Sequence, residues 1–140
     1  MKNIYSKIEP EKLLHIVFRS SDLDSVEYRK DIIPEDNFLQ LGIIKANEGK
    51  KYRAHKHIFK DGQESVIAQE SWFVVSGRVK VFFYDVNEQI IEEIILQKGD
   101  ISVTLHGGHN YEILEDNTIV YEYKTGPYEG QKMDKEFIDD

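Results

Sequence analysis

Arg53-Ala54-His55-Lys56-His57-Ile58-Phe59 is the stretch on which the reading of this chain turns. On an extended strand, side chains two apart point to the same face, so His55 and His57 present two imidazoles side by side. Glu70 and Gly77 follow downstream, and a second stretch runs from Gly99-Asp100 to Gly107-Gly108-His109 and Tyr111. Two neutral imidazoles with a carboxylate and a third imidazole make a site for a first-row transition metal. The expected architecture is a small β-barrel that holds a metal ion in its mouth.

The pattern around that stretch is β from Phe38 onward. Strands are expected at 38–46, 52–59, 66–75, 78–84, 89–96, 101–105, 110–114 and 118–124, separated by turns such as Lys60-Asp61-Gly62 and Lys98-Gly99-Asp100. Val66–Val75 and Arg78–Tyr84, split by Ser76-Gly77, read as a hairpin. About eight short strands at regular spacing suggest a jelly roll or closed sandwich. Residues 1–37 read as an N-terminal extension, a cover or dimer arm with one strand near Leu13–Phe18, and residues 126–140 as a short charged tail.

Composition bounds the function. The 140 residues make one domain, and seven Phe and eight Tyr with 40% hydrophobic residues suit a folded core. A formal charge of −8, without a basic run, argues against a nucleic-acid groove or an anionic membrane surface. The absence of cysteine excludes disulfides, thiolate nucleophiles and Cys-based metal sites. No segment has the length of a membrane span, so a cytoplasmic protein is expected. No P-loop, Gly-x-Gly-x-x-Gly or Gly-x-Ser-x-Gly occurs, which counts against nucleotide hydrolysis and serine-hydrolase chemistry.

The motifs resemble those of the cupin superfamily: His55-x-His57, then Glu70, six residues, Gly77, and later Gly99-Asp100 leading to Gly107-Gly108-His109. The match covers residues 38–125. The resemblance implies an all-β double-stranded β-helix, with His55, His57, Glu70 and His109 as ligands of a divalent transition metal. Two departures stand out: the spacer between His57 and Glu70 is long, leaving Glu64 as a rival to Glu70. The second motif lacks its usual proline and carries Thr104-Leu105-His106, which makes His106 a rival to His109. The tail, Tyr121–Tyr128 with Asp134-Lys135, resembles small cupins of bacterial surface-polysaccharide and sugar-nucleotide pathways. A homodimer is the expectation by the same resemblance.

Around the ligands, Trp72 shares the face of Glu70 and Tyr111 that of His109; they form either a wall for a sugar-like ligand or plain core. Arg53, on the histidine face, is a candidate clamp for a carboxylate or phosphate, or else a rim ion pair. Such a site suits iron, manganese, nickel or zinc alike. It permits Lewis-acid isomerisation or epimerisation of a small carbohydrate-like substrate, Fe(II)-dependent dioxygenation, or ligand binding without catalysis. The first of these needs a general base, for which Glu122, His106 and Tyr111 are the candidates.

Overall fold

The computed structural model describes residues 1–59 and 67–138. The expected turn at Lys60-Asp61-Gly62, the loop near Gly62 and the rival ligand Glu64 therefore lie outside the described residues. In chain order the strands begin with β1 (Lys2–Tyr5), β2 (Leu13–Val17), β3 (Arg29–Asp31), β4 (Leu39–Ala46) and β5 (His55–His57). Next come β6 (Glu70–Ser76), β7 (Arg78–Tyr84), β8 (Ile90–Gln97) and β9 (Ile101–Thr104). After β10 (Gly108–Ile113) and β11 (Thr118–Thr125), a one-turn helix α1 (Gln131–Asp134) leads into β12 (Lys135–Phe137).

Two five-stranded antiparallel sheets carry the structure, in the orders β12-β5-β10-β7-β8 and β3-β4-β11-β6-β9. Their facing sides alternate apolar residues into a shared core of Ile44, Trp72, Val74 and Val120 from one sheet and Val79, Val81, Tyr111 and Ile113 from the other. Burying such side chains is the main source of stability, about 1.5–3 kcal/mol each. A second cluster, Val26, Ile32 and Ile43 with Phe18 and Tyr121 against it, lies where the N-terminal segment meets β4 and β11. The β1-β2 pair stands apart as a small sheet of its own.

The hairpin expected at Ser76-Gly77 does not form. β6 pairs with β11 and β9, whereas β7 pairs with β10 and β8, so the chain crosses between sheets at this turn. Gly77 makes the crossing possible: its φ is +81°, and a Cβ there would lie 2.1 Å from Thr118 Oγ1. Local sequence reads alike for a hairpin and for a crossing; the partner strand more than forty residues downstream decides between them.

The segments flanking the barrel motifs also join the sheets. β3, within the N-terminal extension, pairs with β4, and β12, within the tail, pairs with β5 so that Lys135 faces His57 and Phe137 faces His55. Among the described residues, no helix is long and apolar enough to cross a membrane.

Candidate metal centre

β5 is short, but it is held on both sides: β10 brings His109 opposite His55, and β12 closes the other edge. Glu70 opens β6 in the facing sheet, opposite Thr104 and Lys124. The two sheets thus deliver His55, His57 and His109 from one side and Glu70 from the other. One ligand atom from each of the four lies within 4.8 Å of the others, and all four residues are buried.

Each imidazole is oriented by its Nδ1. His55 Nδ1 is 3.0 Å from the Arg53 carbonyl, His57 Nδ1 is 3.1 Å from the Asp134 carbonyl, and His109 Nδ1 is 2.7 Å from Thr104 Oγ1. The carbonyls accept from the Nδ1–H of His55 and His57 and leave Nε2 of each for a metal, whereas the Thr104 hydroxyl, which both donates and accepts, fixes the position of the His109 ring, whose Nε2 faces Glu70. His57 Nε2 and His109 Nε2 lie 3.3 and 3.2 Å from the Glu70 carboxylate oxygens, yet neither makes a hydrogen bond. Buried polar atoms left without partners are costly, and a cation among them satisfies all of them together. The donor set of three imidazoles and one carboxylate fits a divalent transition metal, and it does not choose among iron, manganese, nickel and zinc.

The charges of the cluster are coupled. Burial would raise the Glu70 carboxyl, but His109 and His57 beside it hold it well below the usual carboxylate range. Burial acts to lower His57, and the carboxylates of Asp134 and Glu70 outweigh it, pushing the imidazole up to about 9. His55 moves the other way: burial first, then His109 and Lys135, lower it to about 3. Burial opposes ionisation of Asp134, but His57 and Lys124 bring it down to about 2. The site therefore holds its carboxylates ionised and one proton on His57 when no metal is present.

A cavity of about 240 Å³ opens beside the cluster. Trp72 and Tyr111 border it, stacked on one another with ring centroids 3.9 Å apart. The Trp72 Nε1–H donates to both Glu70 Oε1 and Glu122 Oε2, each at 3.2 Å, and so ties the candidate ligand to a second buried carboxylate. Glu122 is held again by Arg29, whose Nη2 lies 2.6 Å from Oε1. The Tyr111 hydroxyl is engaged with Ser102 at 3.1 Å, and burial first and then Glu70 raise it far above the ordinary phenol range.

Two expected participants lie elsewhere. His106 is exposed, its ring against Phe59, and does not join the cluster; the third imidazole is His109. Arg53 is exposed with its guanidinium 4.1 Å from the Phe137 ring, and it does not border the cavity. The reason is local: the strand begins at His55, so the alternation that places Arg53 on the histidine face does not extend back to it. Sequence reasoning missed Arg29, Asp134 and Lys135, all of which reach the site from the flanking segments. Sequence offers a signal only for Asp134 and Lys135, the charged pair in what reads as a short charged tail, and none for Arg29.

No protein-family model and no curated protein sequence matches the chain. Solved structures do. KdgF from Halomonas sp. is 20% identical with a TM-score of 0.54, over 69% of this chain and 76% of that one. The capsular polysaccharide assembling protein CapF from Staphylococcus aureus is 22% identical with a TM-score of 0.63, over 79% of this chain and 31% of that one. An uncharacterised conserved protein with a double-stranded β-helix domain from Klebsiella pneumoniae is 16% identical with a TM-score of 0.57, over 80% of this chain and 84% of that one. This chain therefore spans most of two of these neighbours and about a third of CapF. The fold these structures share with this chain is the double-stranded β-helix.

Proposed function

We propose that this chain, a cupin in fold with a buried three-histidine, one-glutamate cluster, is a metal-dependent isomerase or epimerase of a small oxygenated, carbohydrate-like substrate. The observation that carries the reading is Glu122. It is a buried carboxylate that borders the same cavity as the ligand cluster without belonging to it, held by Arg29 and by the Trp72 indole. Proton abstraction next to a carbonyl requires a base so positioned, separate from the groups that hold the metal. A bound divalent metal supplies Lewis acidity at a substrate oxygen. The polysaccharide-assembly role named for CapF supports the preference for carbohydrate.

The test is NMR of the metal-loaded protein with a panel of sugars, sugar acids and nucleotide sugars in D₂O. Exchange of a substrate C–H for deuterium, abolished in Glu122→Gln while metal content is unchanged, is the expected result. Ligand shifts without exchange would replace the enzyme by a binding module. Oxygen consumption by the Fe(II) form would replace it by a dioxygenase.

A further inference from the structure

Three cationic side chains border the cavity, and they differ in what they are already bound to. Arg29 is held between Glu122 and Asp31, with its Nη2 at 2.6 and 2.8 Å from their carboxylates. Lys124 lies 3.3 Å from the Asp134 carboxylate and over the Tyr128 ring. Lys135 has no carboxylate within ion-pair distance among the described residues. Its Nζ lies 3.2 Å from His55 Nε2. Because His55 Nδ1 is paired with the Arg53 carbonyl, Nε2 carries the lone pair, and the ammonium donates to it.

That lone pair cannot serve both an ammonium and a metal ion. Resting on the metal reading of the cluster, the geometry points to Lys135 as the anion-binding residue of the cavity: loading the site releases its ammonium from His55, and the freed charge receives the carboxylate or other oxyanion of the substrate. The substrate class narrows accordingly to an acidic oxygenated molecule, such as a hydroxy acid or sugar acid, and away from neutral sugars. The strand holding Lys135 supports this role. β12 is paired with β5 directly at His57, so the ammonium stays beside the cluster when it lets go of His55.

The test uses the Co(II)-loaded full chain, with glycolate as the acidic probe and ethylene glycol as its neutral counterpart. Binding is followed by the cobalt visible spectrum and by calorimetry, in wild type, Lys135→Met and Lys135→Arg. Lys135→Met is expected to bind glycolate at least about tenfold more weakly, as loss of a hydrogen bond to a charged group implies. Lys135→Arg is expected to stay near wild type, and ethylene glycol to be indifferent to both changes. Co(II) itself is expected to bind Lys135→Met no more weakly than wild type, because the competitor for His55 has been removed. Normal Co(II) binding with glycolate affinity unchanged in Lys135→Met would overturn the role of Lys135 and leave the metal site standing. Failure of wild type and variant alike to bind Co(II) would overturn the metal reading itself.

Discussion

Metal binding to this protein should release a proton, and the proton should come from His57. In the metal-free protein the Asp134 and Glu70 carboxylates raise this imidazole to about 9, so at pH 7 it is protonated. Its Nδ1 is turned to Asp134, so Nε2, facing Glu70, is the nitrogen that must be stripped before it can donate a lone pair. His55, lowered to about 3, and Glu70, already ionised, contribute no proton. Two pH units separate pH 7 from the His57 value, which costs about 3 kcal/mol at pH 7, or roughly a hundredfold in apparent affinity. Apparent Zn(II) or Mn(II) affinity should therefore rise close to tenfold per pH unit between 7 and 9 and level off above. Calorimetry at pH 7 in buffers of different ionisation enthalpy should count about one proton per metal. Asp134→Asn removes the leading carboxylate and should flatten the pH dependence. Metal binding with no proton released at pH 7, and with affinity flat from pH 7 to 9, would refute the coupling.

Further outcomes follow from the same contacts. Metal-free stability should peak near pH 6.5. The raised His57 contributes fully below its unfolded value near 6.5 and is lost as pH rises through about 9, while the lowered His55 contributes above 6.5 and is lost as pH falls towards about 3. The two flanks amount to about 3 and about 5 kcal/mol by linkage, measurable by urea titration across pH; a maximum above pH 9 would contradict the assignment. Gly77→Ala should destabilise by about 3 kcal/mol, because it places a methyl on Thr118 at a positive φ; an unchanged urea midpoint would refute the sheet crossing. We also propose a homodimer through the exposed apolar residues of the edge strands β8 and β9, including Ile91, Ile94, Ile101 and Val103. Sedimentation should find a dimer that Ile94→Lys dissociates, and a monomeric wild type would remove the proposal.

What was legible in the sequence was whatever obeys strand parity within one segment. His55 and His57 sit two apart on β5, Glu70 and Trp72 two apart on β6, and His109 and Tyr111 two apart on β10, and in each case both members are buried. Parity failed where a strand began later than expected, as at Arg53, which precedes the start of β5 at His55. It had nothing to say about pairing between distant segments. Arg29 reaches Glu122 across ninety-three residues, and Asp134 reaches His57 across seventy-seven. Such contacts are fixed by the sheet order, which depends on the whole chain, so the supports of the site were hidden while its candidate ligands were visible. The choice between His106 and His109 was of the same kind: β10 begins at Gly108, so His109 enters the ladder opposite His55 while His106 stays outside on the surface.

Elemental analysis of protein purified without chelator, beside the His57→Ala variant shown by circular dichroism to keep its β structure, tests the convergence of His55, His57, Glu70 and His109 most directly. One transition-metal ion per chain in the wild type, lost in the variant, is the predicted result. Wild type without metal that also fails to take up any added divalent transition ion, or a variant that retains the full equivalent, would contradict it.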